Sequence, residues 1–255
     1  MSTDDSERPP PYEDTRNDAD QVLQPTIHVL AGQTIHAESA DAPLLYKLNR
    51  GIATLSYATS DVELERVERT VRTDDNDEPT IRERTRHIYD IRHIQGILGT
   101  PSSLPSDSPA FYIEAQRRKH SLGNLALKKS RLPGRSSWKA LPLDLSGKSS
   151  KWNLPTYVKD AKALFEVKQK DGRYEWSDAD GNPIAVEDEG EGQHRLVVTA
   201  SLHRETMDAI VALWCCRLWQ YSAEHQEPLY EGMENVRHKF ALAKEMKGSM
   251  KFGMY

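Results

Sequence analysis

The sequence predicts a mainly β (α+β) fold, an antiparallel β-barrel wrapped around a central apolar C-terminal helix. Three observations predict it. First, every residue from Ala209 to Cys216 is apolar (Ala209, Ile210, Val211, Ala212, Leu213, Trp214, Cys215, Cys216). At about 3.6 residues per turn such a run covers the whole circumference of a helix, so the helix is enclosed on every side. Second, the chain before it reads as a series of short alternating or β-branched segments separated by turn residues. Third, strands precede the one apolar helix without βαβ alternation, which argues against a doubly wound sheet. A closed antiparallel barrel removes its own edge strands and needs a filled interior, and the helix is the natural filler.

The strand series starts at Thr26. TIHVL, QTIHAE, APLLYKL and GIATLSYA are broken at Gly32, at Ala42-Pro43 and at Asn49-Arg50-Gly51. Val62–Val71 has partial helical spacing in Val62, Leu64, Val67 and Val71. Its neighbours are strand-like, and strand is the assignment taken. Thr73–Pro79 is an acidic loop, and Arg82–Ile94 alternates again. After the Pro/Ser-rich Gly99–Pro109, AFYIEAQ and GNLALKKS read as a hairpin around Lys119–Gly123, and Leu141–Lys151 as irregular. ALFEVK and GRYEW flank Lys170-Asp171-Gly172, where Asp-Gly favours the tight turn that needs positive φ at both central positions. Asp180-Gly181-Asn182-Pro183 forms the next turn, PIAVE and HRLVVTA follow, and Pro228 ends the helical tract.

Composition narrows the class. The chain has 255 residues, 37% hydrophobic and 29% charged, with a formal net charge of −5. That balance argues against a general nucleic-acid binder, which is usually strongly basic. Three regions are expected: a disordered acidic, Pro-containing tail over 1–24, a barrel domain over 25–227 and a basic tail over 228–255. The segment 1–20 lacks the apolar core of a signal peptide, and Arg217 interrupts an apolar run far shorter than the roughly 20 residues of a membrane span. A cytoplasmic protein, peripheral at membranes if it meets them, is the expectation. Cys215 and Cys216 are adjacent, point in different directions on a helix, and read as buried free thiols.

Two motifs suggest partners. Pro9-Pro10-Pro11-Tyr12 fits P-P-x-Y, a ligand form for WW domains: proline pre-orders an extended helix that docks on an aromatic groove with little entropy loss. A WW-containing protein, with a ubiquitin ligase as the leading type, is the implied partner. The basic run Arg117, Arg118, Lys119 and His120, with Lys128, Lys129, Arg131 and Arg135, gathers at the two ends of the expected hairpin. Arg117, Arg118, Lys119, Lys128, Lys129 and Arg131 are the candidate contacts to an anionic lipid or phosphoinositide. The plainer reading is a solvated hairpin. Asn235–Tyr255 mixes apolar and basic residues in the manner of a surface-binding segment, but Gly248 and Gly253 weaken it as a helix.

Signs of catalysis are sparse. The histidines are scattered, and there is no HExxH, CxxC or G-x-S-x-G motif. His87 and His93, six apart, would share a strand face but are too few to hold a metal. Asp178 and Asp180 beside Gly181 lack the distal glutamate of a calcium loop and read as turn formers. No catalytic residue, metal or cofactor is expected.

Tyr174-Glu175-Trp176 through Gly181, Leu196-Val197-Val198 and Met207–Trp214 together resemble the final hairpin and helix of the tubby C-terminal-like superfamily, which includes tubby-like and LURP-one-related proteins and phospholipid scramblases. It looks like that of uncharacterised fungal members of this group. The resemblance spans about Thr26–Ala223 and is specific in its last third. It implies a barrel around a C-terminal helix and transfers no ligand-contacting residue. The polar Arg217 departs from an ideal core helix, and its expected place is the barrel mouth, where its guanidinium reaches water. The expected function is a non-enzymatic binding or adaptor protein. The alternatives are a membrane-active scramblase-like protein and an enzyme whose site assembles from distant residues.

Overall fold

The alternating segments form one continuous antiparallel meander in which neighbours in sequence are neighbours in space. The computed structural model describes residues 21–73, 79–94, 104–130, 137–148, 150, 152–190 and 192–225. The strands are β1 (Val22–Leu23), β2 (Thr26–Ala31), β3 (Thr34–Ala37), β4 (Leu44–Leu48), β5 (Asp61–Thr73), β6 (Pro79–His93), β7 (Phe111–Ala115), β8 (Leu125–Lys129), β9 (Ser137–Asp144), β10 (Thr156–Tyr157), β11 (Phe165–Lys170), β12 (Arg173–Asp178), β13 (Pro183–Gly190), β14 (Gln193–Val198) and β15 (Leu202–His203).

Spatial order is β9-β11-β12-β13-β14-β2-β3-β4-β5-β6-β7-β8, and β8 pairs back to β9, so twelve strands close a barrel. The short β10 adds to β9 beside β11, and β1 pairs with β15 outside the ring. Closure leaves no open edge around the wall.

The helix α1 (204–225) fills the barrel. Thirteen consecutive residues, Met207 to Trp219, are buried, more than three full turns. A helix on the outside of a sheet would expose one face. This one shares a single core with inward residues of the wall, such as Ile35, Leu64, Ile113, Val167, Trp176 and Leu196. A smaller outer cluster of Tyr112, Ala126 and Leu143 lies against Tyr157.

The meander gives the barrel two mouths. Turns 31–34, 170–173 and 190–193 cluster at one, with the C-terminal half of α1. Connections 37–44, 73–79, 115–125 and 178–183 cluster at the other, where α1 begins.

Several expectations need correction. Val62–Val71 lies within β5, as assigned, but Leu141–Asp144 is strand rather than irregular: it pairs with β8 and β10. Strand order starts earlier than the change of texture at Thr26, because Val22 and Leu23 pair with His203 and Leu202. The hairpin of β7 and β8 joins at a single register pair, Ile113 with Leu125. His87 and His93 face opposite sides because β6 has a bulge: Leu64 pairs with Tyr89 but Glu65 with His87, so Ile88 is the extra residue. His93 is buried and stacks on Phe111, whereas His87 bonds the outer Asp90 at 2.7 Å. The turns behave as expected. Asp171 and Gly172 have φ of 50° and 80°, and Asp178 Oδ1 accepts the amides of Asp180 and Asn182.

Candidate functional site

A pocket of about 440 Å³ opens at the mouth where α1 ends. That falls within the roughly 300–1,000 Å³ of small-molecule sites. Its floor is the end of the helix, with Trp214, Arg217, Leu218 and Tyr221. Its wall is the β11–β12 turn with Asp171, Arg173 and Tyr174, together with Glu187, Asp188, His194 and Arg195 from β13 and β14.

Strand register builds this wall. Tyr174, Glu187 and Leu196 stand side by side on the inner face of β12, β13 and β14. Glu187 is therefore an acid aimed into an apolar lumen, and an isolated buried carboxylate is costly. Three donors meet it: Trp176 Nε1 donates to Oε1 at 2.8 Å, Arg217 Nε donates to the same oxygen at 2.7 Å, and Arg217 Nη2 donates to Oε2. The Arg217 guanidinium stacks on the Tyr174 ring at 3.9 Å. Burial pushes it down to about 10, so it stays charged at neutral pH opposite the Glu187 carboxylate. Here the expectation that Arg217 reaches bulk water fails. It is 7% exposed, and its charge is met within the mouth by Glu187.

The rim carries a second charge group. Asp188 and Arg195 are register partners and bond at 2.9 Å, while Arg173 Nε lies 3.9 Å from Asp188. Two guanidiniums thus share one carboxylate. Arg195 Nε is buried without a hydrogen-bond partner. An unmet donor beside a pocket is a place where an incoming acceptor gains a bond. Lys129 Nζ lies 5.7 Å from the Trp138 ring, which in turn meets Tyr174 at 5.6 Å.

The basic residues singled out in the sequence do not form one patch. Lys129 lies over Trp138, whose ring meets the pocket residue Tyr174. Lys128 projects to the other face of β8, over Tyr157 at 4.8 Å. Arg117 and Lys119 are exposed at the opposite mouth, between β7 and β8. The Arg118 side chain, Arg131 and Arg135 lie outside the described residues, as do Pro9, Pro10, Pro11, Tyr12 and the basic segment from Asn235. The residues that line the pocket, Arg173, Glu187, Asp188, His194 and Arg195, carry no local motif. The one available signal was the polar residues Glu187 and His194 at inward-facing strand positions; Arg173, Asp188 and Arg195 stand on the alternate strand face and reach the pocket only at its rim.

At the start of α1 lies a second buried polar group. Asp208 accepts from Tyr46 Oη at 2.9 Å and from Arg66 Nη1. Arg66 Nη2 also bonds Glu68 at 2.5 Å, and Arg86 Nε lies 3.1 Å from Glu68. Burial holds the Asp208 carboxyl above the usual carboxylate range, against the pull of Arg66 and Tyr46.

Among the described residues no three potential metal ligands gather, and no helix is long and apolar enough to cross a membrane. Fold and site together define a class: a closed twelve-strand antiparallel barrel filled by its own C-terminal helix, with a charged pocket at one mouth. Comparisons with protein-family models, curated proteins and solved structures give no match.

Proposed function

We propose that this chain is a non-enzymatic binding and adaptor protein of the tubby-like kind, and that its mouth pocket takes a phosphorylated polyol such as an inositol phosphate or a phosphoinositide head group. The barrel around a C-terminal helix supports the kinship, and the pocket supports the ligand class. The observation that carries the reading is the Arg173–Asp188–Arg195 group with its unpartnered Arg195 Nε. Phosphate oxygens suit the guanidiniums. Ring hydroxyls suit the carboxylates of Asp171 and Asp188, which explains why acids line a site for an anion. Lys129, over the Trp138 ring that meets Tyr174, adds positive charge near this mouth. A cytoplasmic protein peripheral at anionic membranes follows from this reading. The tail motif Pro9–Tyr12 would recruit a WW-domain partner, with a ubiquitin ligase as the leading type.

Titration calorimetry of the full chain with inositol phosphates, alongside flotation with vesicles containing 5% phosphoinositide, tests the pocket. Binding that falls at least tenfold in an Arg173→Gln/Arg195→Gln variant is expected. No binding by the natural chain at low salt, or equal binding by the variant, overturns it. For the tail, Tyr12→Ala should abolish WW binding by a 1–20 peptide.

A further inference from the structure

The β5–β6 hairpin is longer than the barrel wall needs. Its inner part pairs with β4 at Tyr46–Leu48 and with β7 at Phe111–Ala115. Its outer part, from Glu68 to Thr73 and from Pro79 to His87, pairs only with itself and projects beyond the mouth where α1 begins.

The two faces of this arm differ in charge. Beyond the Ile88 bulge, register places Arg66 opposite Arg86, Glu68 opposite Arg84 and Thr70 opposite Arg82. These residues continue the inward face of the barrel, because Arg66 reaches Asp208 of the enclosed helix. On the other face charge is met: Glu83 pairs with Arg69 at 3.1 Å and with Lys47 at 3.7 Å. On the inward-continuing face Glu68 is shared by Arg66 and Arg86. Arg82 and Arg84 are exposed, and among the described residues neither has an ion-pair partner. The same mouth exposes Arg117 and Lys119 and receives the positive end of the helix dipole.

The chain enters the barrel at this mouth. Gln21 accepts from the Arg204 side chain, and its carbonyl accepts the Arg204 amide at 2.9 Å, at the start of α1. Residues 1–20 precede it, with Asp4, Asp5, Glu7, Glu13, Asp14, Asp18 and Asp20 against Arg8 and Arg16. From Gln21 the route past Arg204 and Asp208 to Arg66, Arg86 and then Arg82 is roughly 30 Å, at about 1.5 Å per helical residue and 3.3 Å per strand residue. Twenty residues reach about 66 Å when extended. Length, point of attachment and charge all match.

We propose that the acidic segment 1–20 docks in cis on the arginine face of the β5–β6 arm, with its carboxylates on Arg82 and Arg84. This inference does not rest on the pocket at the opposite mouth. It does bear on the tail motif: a WW domain taking Pro9–Tyr12 must lift the segment off the arm.

Spin labels placed by Ser6→Cys and Thr85→Cys in the full chain test it by pulsed dipolar distance measurement. Thr85 lies on the opposite face of the arm, and the native Cys215 and Cys216 are buried beyond the reach of the label. A short, narrow distance component is expected. It should broaden and lengthen in 1 M NaCl, where the Debye length is about 3 Å, and in an Arg82→Ser/Arg84→Ser variant, whose exposed sites leave the barrel intact. The proposal is overturned by a distribution unchanged by salt and by the arginine substitutions. It is equally overturned by a short component that appears only when singly labelled chains are mixed, since the occupant is then a second copy.

Discussion

Arg66 in the barrel wall and Asp208 in the second turn of α1 are joined by a buried ion pair, so the shell grips its filler at a fixed axial position. Between Asp208 and Arg217 the helix surface is wholly apolar, Ala209–Cys216, and offers little to set its height within the lumen. The charged contacts at its two ends, Asp208 with Arg66 and Arg217 with Glu187, supply that setting.

Removing one member should therefore be far worse than removing both. Asp208→Ala leaves Arg66 buried beside the cavity and should destabilise the protein by about 3–5 kcal/mol. Adding Arg66→Met should recover a substantial part of that loss. Urea unfolding followed by tryptophan fluorescence measures both, and a double variant that loses the sum of the two single effects contradicts the account.

At the other mouth, Arg217→Lys should behave as a disruptive change. An ammonium cannot bridge both Glu187 oxygens while lying flat on Tyr174. A loss of about 2–3 kcal/mol is expected, by the scale of a buried pair with one partner weakened. Thermal unfolding of the variant at pH 7 gives the number, and an unchanged midpoint would show that the geometry contributes little.

Burial lowers His28 to about 4, since its ring lies in the wall with Nδ1 unpartnered. The unfolded chain then binds a proton near pH 6.5 that the folded chain refuses. The neutral ring's contribution is fully present above pH 6.5 and is lost as pH falls toward 4, by on the order of 3 kcal/mol. Burial lowers His93 too, in the same sense. Unfolding free energy should fall across this window, and His28→Phe should flatten the slope. Equal slopes in the two proteins refute the assignment.

Cys215 and Cys216 should be silent toward thiol reagents in the native protein. Burial pushes the Cys216 thiol up to about 12 and Cys215 higher still, which removes the reactive thiolate. Both should react once denaturant unfolds the chain. Fast labelling without denaturant would mean that the helix is not enclosed.

Much of this architecture was legible in order along the chain. The run Ala209–Cys216 dictated a helix buried all round, and Asp171-Gly172 dictated a tight hairpin, because backbone geometry and solvent avoidance act over a few residues. The pocket was not legible. Arg173, Glu187, Arg195 and Arg217 sit on four elements, and their charges look like ordinary surface residues until strand register brings them to one mouth. The basic hairpin shows the converse: Lys128 and Lys129 are adjacent in sequence, yet the period of two in a strand sends one to Tyr157 and the other to Trp138.

The sequence by itself determined that strands would alternate, where the chain would turn, and that one helix must be hidden from water. Only the tertiary structure decided which strand closes on which, which mouth receives each charge, and how a single extra residue at Ile88 turns an arginine series to continue the inner face. Local preferences are set by each residue and its neighbours. Closure and register come from the whole chain satisfying its backbone bonds at once, and no short segment contains that information.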